Sequence, residues 1–490
     1  MLRANNHSNL DYFPVIFKMA NLKDLIEKNS EAAEILKLAG SLGEKSGMDT
    51  YAVGGYVRDL FLERPVKEID LMVVGDGIAL AKLLAKELGV KKVVPFEKFG
   101  TAHIPSKPFP IEVTGGRTEA YEKESRNPQK IESADINTDL MRRDFTVNAM
   151  AVNLMPDAFG ELIDPFQGIS DLHAKHLKTP LSANETFSDD PLRMMRAAYF
   201  ASELDFELDE KCLKAMVKNA ERITIVSQER ITNEFTKILA SPKPSIGLRI
   251  LQEVGLLNYV FPEIEEMVGL EQTSKWHHKD IYNHTLQVVD NAATLSNQPN
   301  LRFAGLVHDI AKPRTRRLDK NKGYTFHGHD EIGARMLGKI AKRMKLSNEL
   351  RDYLQKLTRL HLRPIALAQE NVTDSAVRRL MVAAGDEIDD LMKLCRADIT
   401  SQNPALVKKY MSNFERVENR MQDVQERDAM KAFQSPVRGD EIMKICGLKE
   451  GKAVGKLKSE IESAILNGDI ENTHEAAMEL LLKKKDDILS

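Results

Sequence analysis

Three acidic residues and a pair of glycines carry the first chemical signal in the chain. Glu68-Ile69-Asp70 sets two carboxylates two residues apart, and Glu112 stands between Ile111 and Val113. Side chains alternate along a strand, so Glu68 and Asp70 share one face while Ile69, Leu71 and Val73 take the other. Two carboxylates so placed can hold a divalent metal, and Glu112 supplies the third acidic group that a two-metal site requires. Upstream, Gly54-Gly55 closes a short apolar run and opens a helical segment. Paired glycines let a backbone approach phosphate oxygens, and the first N–H groups of a helix add partial positive charge. A Gly-Gly turn alone is usually only a turn, and an acid-x-acid strand alone is usually a solvated face. In strand–helix–strand order they indicate a phosphate cradle beside a metal site, and hence a nucleoside triphosphate.

Further along, RRDFTVNA (Arg142–Ala149) supplies guanidinium forks at Arg142 and Arg143 that suit phosphates. Asp144 can accept from a ribose 2′-OH, and Asn148, one turn on, faces the same way. The bland alternative is a capped, charged helix start. Asp190 before Pro191 is, by itself, an N-cap with proline at the first helical position, which leaves Arg193 unexplained. One turn apart, Asp190 and Arg193 set a carboxylate acceptor beside a fork donor, able to address the Watson–Crick edge of cytosine or adenine. A bidentate contact of that kind discriminates by about 1–3 kcal/mol, so pocket shape and closure must add to it. Arg196 follows on the same segment as a further nucleotide-binding candidate. The second half offers His284, His308-Asp309, His327, His329, His361 and Asp398 over helical segments.

The elements that must position these groups follow from hydrophobic period. Leu22–Gly47 reads as an amphipathic helix, Tyr51–Val53 as a buried strand, and Ile78–Leu88 as a second helix. Alternating runs near Ala102–Pro105 and Pro110–Thr114 read as strands. Gly115–Asp139 is polar without an apolar period and reads as a long mobile loop. From about Lys275 the pattern is helical, and the tail is helical from Ala405 to Phe433. Gly447, Gly451 and Gly455 are then expected between two helices, as an RNA-phosphate contact through N–H groups or as a plain hairpin.

Composition bounds the class. The 490 residues suggest about three domains at roughly 150 residues each. With 42% hydrophobic and 29% charged residues, the chain can build several cores, and no apolar run reaches the roughly 20 residues of a membrane span. Its beginning lacks a signal peptide's apolar core, and Met19 is an alternative start to Met1. Cys212, Cys395 and Cys446 are too scattered for a disulfide framework or a zinc knuckle. A cytoplasmic protein is expected. The net charge of −3 conceals a split: residues 301–365 hold 16 Lys and Arg against 6 Asp and Glu, which leaves −13 on the remainder. Such a basic run serves phosphate binding or simply a solvated helical face.

GGYVRD followed by EID resembles the head of polymerase-β-type nucleotidyltransferases, specifically the class II tRNA nucleotidyltransferases that add CCA, a family shared with poly(A) polymerases. The resemblance implies an α+β head with a mixed sheet, then a mostly helical neck, HD domain and tail. The implied segments are 1–47 (extension and helix), 48–175 (head), 176–272 (neck), 273–402 (HD domain) and 403–490 (tail, a possible tRNA-binding part). It assigns Asp70, Glu68 and Glu112 to two Mg2+ ions, and Gly54, Gly55 and Arg58 to the triphosphate. Arg143, Asp144, Asn148 and Arg196 fall within its nucleotide-binding motifs, and Asp190 with Arg193 forms its amino-acid template for CTP and ATP. Arg117, Glu119, Tyr121, Ser125, Arg126 and Pro128 match its flexible loop, which implies a switch from C to A addition. Asp164, Pro165, Gly168 and Asp171 match a hinge-like motif, while Glu229 and Arg230 match a motif that braces the template helix. The order H…HD…D resembles an HD domain and would make His284, His308, Asp309 and Asp398 ligands of a divalent metal.

This chain departs from the family in having Glu68 and Asp189 where the family usually has Asp and Glu; Glu68 therefore ranks below Asp70. Template-independent CCA addition to tRNA is the implied activity, with tRNA, CTP and ATP as partners and neither membrane nor DNA. A poly(A) polymerase is disfavoured because EKFGTAHI replaces the basic segment of those relatives, and a CC-only adding enzyme because the flexible loop is intact; a partial CC- or A-adding enzyme stays as an alternative. A metal-dependent HD phosphohydrolase that uses the head for RNA docking is the alternative of another class.

Overall fold

The computed structural model describes residues 21–120, 130–274, 277–319, 323–368, 373–432, 435–466 and 469–489. Its first strands are β1 (Thr50–Val53), β2 (Ile69–Val73), β3 (Val94–Phe96), β4 (Thr101–Ile104) and β5 (Ile111–Gly115). After a separate antiparallel pair, β6 (Arg117–Ala120) and β7 (Lys130–Ser133), come β8 (Ala151–Asn153) and β9 (Leu162–Ile163). One mixed sheet runs in the order β3-β4-β5-β2-β1-β8-β9, with β2 and β5 parallel and its other pairings antiparallel. Ile69, Leu71 and Val73 are buried, as the alternation requires, and helices Ser30–Lys45 and Gly77–Glu87 pack against the sheet. Gly77 must lack a side chain, because a Cβ there would stand 2.5 Å from the Gly115 amide nitrogen. Apolar side chains burying themselves on both faces hold β2 in place, at roughly 1.5–3 kcal/mol each.

Several expectations need correction. The helix expected over Leu22–Gly47 is two, Lys23–Glu27 and Ser30–Lys45. Asn29 divides them: its side chain accepts from the Ala32 amide, a local bond that begins a new helix instead of extending the old one. The stretch read as a loop over Gly115–Asp139 contains the β6–β7 pair and the start of helix Ile136–Met141. Backbone pairing needs no apolar period, which is why the sequence hid it. The loop positions Tyr121, Ser125, Arg126 and Pro128 lie outside the described residues, as do Met1 and Met19. Gly455 sits inside helix Lys452–Leu466 and not between helices, whereas Gly447 terminates helix Gly439–Cys446 with φ +64°.

The chain forms two compact units, 1–362 with 389–402, and 363–388 with 403–490. In the first, helices Leu192–Leu204, Gln228–Ala240 and Pro244–Glu253 follow the head, and Phe235, Phe261 and Phe303 bury their rings together at 5.8–6.3 Å between centroids. Part of the basic run serves this core. Buried Arg302 donates from Nη1 to the carbonyls of Leu239 and Ser241, each at 2.8 Å, closing a helix end. The second unit has its own apolar core, which includes Val437, Ile442, Leu457, Ile461 and Leu481. No helix among the described residues is long and apolar enough to cross a membrane.

Candidate active site

The head and neck residues assigned from the sequence to metal and nucleotide, from Gly54, Gly55, Arg58, Glu68, Asp70 and Glu112 through Arg143, Asp144 and Asn148 to Asp190, Arg193 and Arg196, line one cleft of about 1050 Å3. The parallel pairing of β2 with β5 sets Asp70 directly opposite Glu112, and Glu68 immediately precedes β2. Gly54 lies beside them: with φ +70°, it begins helix Gly55–Phe61, and a Cβ there would stand 2.8 Å from Arg143 Nη1 and 3.5 Å from Asp70 Oδ2. Glycine is thus required twice, by backbone conformation and by space. Burial, and then the Glu68 carboxylate, push the Asp70 carboxyl up to about 7, against the opposing pull of Arg143. The Glu68 and Glu112 charges both raise Asp70, and the three are oxygen donors of the kind a hard divalent cation takes, but among the described residues they are not one of the groups whose ligand atoms all lie within 4.8 Å of one another.

The cationic wall is held from behind. Asp139, 0% exposed, accepts from Arg142 Nη2 at 2.5 Å and from Arg143 Nη2 at 3.0 Å. Burial opposes its ionisation, but the two guanidinium groups bring its carboxyl below the usual range. Sequence reasoning missed Asp139, although its spacing of three and four residues from the arginines carried the signal. Arg58, expected on the triphosphate, donates to Asn148 Oδ1 at 2.7 Å and to Asp59 at 2.9 and 3.0 Å, so in this structure it braces the cleft. Asp144 likewise has both oxygens engaged, Oδ1 by Phe145 N and Asn148 Nδ2, and Oδ2 by Arg196 Nε at 2.7 Å. Burial raises the Asp144 carboxyl, yet Arg196 and Asn148 bring it net below its usual range.

Asp190 accepts from Leu192 N at 3.1 Å, which makes it a helix cap as well as a cleft residue. Arg193 Nη2 donates to the Arg142 carbonyl at 2.6 Å, tying the candidate template pair to the arginine motif. The hinge-like segment fixes that motif from the other side: Gly168 N and Ile169 N donate to Asp164, and Thr146 Oγ1 donates to Asp171. Glu229 is exposed and outside the cleft lining, whereas Arg230, Asn233, Glu234 and Lys237 line the cleft.

A second cluster lies in the helical part of the same unit. His284 stands in helix Ile281–Leu295, His308 caps helix Pro299–Val307, and Asp398 follows helix Ile388–Ala397. His284 Nε2 is 3.0 Å from Asp398 Oδ1 and 3.7 Å from Asp309 Oδ2, and His308 Nε2 is 3.1 Å from Asp309 Oδ2. Burial lowers the His308 imidazole, but Asp309 and Asp398 outweigh it and push it up to about 10. A proton there does for the carboxylates what a cation would do. Lys312 Nζ closes on Asp309 Oδ2 at 2.6 Å. His329 and His361, seen in the sequence but given no role, complete the cluster, whereas His327 is absent from the groups that could hold a metal ion.

Comparison with known proteins decides the family. The family described as "Poly A polymerase head domain" matches residues 50–178, "Probable RNA and SrmB- binding site of polymerase A" matches 205–268, and "HD domain" matches 281–402. The "Multifunctional CCA protein" of Shewanella frigidimarina (strain NCIMB 400) is 33% identical over 322 residues, 62% of this chain and 72% of that protein. The chain belongs to the CCA-adding tRNA nucleotidyltransferases. Solved structures agree in fold. The Thermotoga maritima CCA-adding enzyme complexed with tRNA superposes with TM-score 0.56 at 21% identity over 94% of this chain and 98% of its own. The Bacillus stearothermophilus CCA-adding enzyme in complex with CTP gives 0.55 at 23% over 92% and 97%.

As a CCA-adding nucleotidyltransferase the chain is an enzyme with a mixed-sheet head and a mostly helical remainder, and its families are metal-dependent. The cleft and the histidine cluster are its two concentrations of metal-ligating side chains singled out above, one built of carboxylates and the other largely of imidazoles.

Proposed function

We propose that this chain completes the 3′ end of tRNA by adding CCA from CTP and ATP, without a nucleic-acid template. The observation that carries the reading is Asp70 paired opposite Glu112 beside Gly54, in the cleft that also holds Asp190 and Arg193. Glu68, Asp70 and Glu112 would hold two Mg2+ ions, which supply a lowered pKa at the tRNA 3′-hydroxyl and neutralise the departing pyrophosphate. Arg143, aimed by Asp139, stands at the glycine turn where triphosphate oxygens would lie, so most of the acceleration comes from positioning and charge neutralisation. Asp190 and Arg193 select the base, and Asp144 with Arg196 and Asn148 holds the wall behind it. The reaction belongs to the cytoplasm, where these partners meet.

Incubation with tRNA lacking its 3′ end and labelled CTP or ATP, followed by sizing of the product, tests this. Three added residues are expected. A long ladder would indicate poly(A) synthesis, and C without A, or A without C, a partial enzyme. No addition but release of phosphate would leave only the histidine cluster active. That cluster supports a second activity, metal-dependent phosphate ester hydrolysis on a cation held by His284, His308, Asp309 and Asp398. Release of phosphate from p-nitrophenyl phosphate, lost in Asp309→Asn, checks it.

A further inference from the structure

We infer that the open face of β3 and β4, centred on Phe96 and His103, is the platform on which the unpaired 3′ end of the tRNA acceptor strand lies during addition. The inference rests on the nucleotidyl-transfer reading for where the attacking hydroxyl must arrive. Strand register defines the face. Asp70 pairs with Glu112 on β5, Glu112 with His103 on β4, and His103 with Val94 on β3; in the next row Thr114 pairs with Thr101, and Thr101 with Phe96. Residues directly opposite across a ladder project to the same side, so both rows share the face of the carboxylates. Ala102, Ile104, Ile111 and Val113, which alternate with them, are buried on the other side. Thr101 and Thr114 line the cleft, and the floor then runs on from Thr101 to Phe96, 49% exposed on the edge strand.

The order of strands fixes what comes there. Gly54 and Gly55 follow β1, on one side of the carboxylate pair, and β4 and β3 lie on the other. With the triphosphate at the glycine turn, the pyrophosphate departs toward β1. An attacking hydroxyl enters roughly in line from the opposite side, which carries its strand over β5, β4 and β3. Single exposed rings are ordinary on a protein surface, and what distinguishes Phe96 is its place in this row. A flat ring stacks on any base, because every base has a π face. Addition requires that tolerance, since the terminal base changes at each step as C, C and A are joined. The same segment can meet the backbone. Exposed Lys91, Lys92 and Lys98 outnumber Glu97 there, and Lys98 Nζ lies 5.8 Å from the ring centroid of Phe99, itself 41% exposed. Phosphates are thus held by charge and bases by stacking, without a hydrogen bond that would read the sequence.

Full-length enzyme and tRNA lacking its 3′ end test this through the split between two Michaelis constants. Phe96→Ala should raise KM for tRNA about tenfold, the scale of one lost base stack, with KM for CTP unchanged. Phe96→Trp should restore it. Lys92→Glu combined with Lys98→Glu should weaken tRNA binding and flatten its salt dependence. Ultraviolet crosslinking of wild type to tRNA with a terminal thiouridine needs no variant, and adducts are expected within residues 91–104. An unchanged tRNA KM in Phe96→Ala overturns the platform and leaves the face to a protein partner. A matching rise in KM for CTP overturns it too, since the ring would then only support the cleft. If Phe96→Ala does not fold, the crosslink decides, and adducts found only outside residues 91–104 sink the proposal. No addition by wild type would defeat the nucleotidyl-transfer reading and the platform with it, whereas addition with unchanged constants defeats the platform alone.

Discussion

The head cleft and the histidine cluster gather cation-binding groups by opposite means. In the head, the register of two parallel strands places Asp70 opposite Glu112, and every candidate ligand is a carboxylate facing a cleft in which Glu68 and Glu112 are exposed. In the helical part, ends of separate helices bring together imidazoles and the Asp309 carboxylate, almost wholly buried, with Asp398 at their edge 22% exposed. Open oxygen donors suit a hard cation that keeps its waters and arrives with a triphosphate. Enclosed imidazoles suit a softer cation that resides. One fold unit can therefore keep two metal chemistries apart by donor type and solvent access alone.

The largest break in that comparison is expected from Asp70→Asn. It should reduce addition of C and of A alike by at least about 10^3-fold, while the Co2+ content of the histidine cluster stays unchanged. Loss of both together would show the sites to be coupled. Next comes Asp139→Asn, which leaves every cleft-facing group present but unties Arg142 and Arg143. Because a small misplacement costs about 10^2-fold, kcat/KM should fall by that order with Mg2+ affinity retained. A wild-type rate would remove Asp139 from the mechanism. Arg193→Lys keeps charge but loses the fork, so the choice between CTP and ATP should relax roughly 10-fold while the triphosphate still binds. Unchanged selectivity would count against the template role.

What the sequence made legible tracks the range of the forces involved. The alternation about Ile69, the turn at Gly54-Gly55 and the one-turn spacing of Asp190 and Arg193 are local, and each stands in the structure where its period put it. The helix break at Asn29 turned on one side-chain bond that competes with helix continuation, and the β6–β7 pair on backbone bonds that leave no hydrophobic trace. Arg58, expected at the triphosphate by position, lines the cleft and also donates to Asp59 and Asn148, a tie that its place in the sequence did not announce. The histidines were the least legible. His284 and Asp398 are separated by more than a hundred residues, and nothing in that interval says that His329 and His361 turn inward while His327 does not join them. Only the packing of helix ends decides it.

The smallest expected effect concerns protons, and it separates the two sites by pH. In the metal-free head the Asp70 carboxyl sits at about 7, above its ordinary 3.8, because it is buried and faces Glu68. It must shed that proton before it can ligate, so apparent Mg2+ affinity should fall about tenfold per pH unit below pH 7. The same shift acts on stability with a definite sign. The folded pKa exceeds the unfolded one, so the contribution is complete below about pH 4 and disappears as pH rises through 7. His308, held up to about 10 against its ordinary 6.5, contributes stability that is complete below 6.5 and lost as pH rises through 10. Chelated wild type and Asp70→Asn should therefore differ in the pH slope of their stability only between about pH 4 and 7, and share the slope above it. A difference in slope that persisted to pH 9 would place the perturbing proton elsewhere, and would mean that the carboxylate site and the imidazole site do not titrate independently.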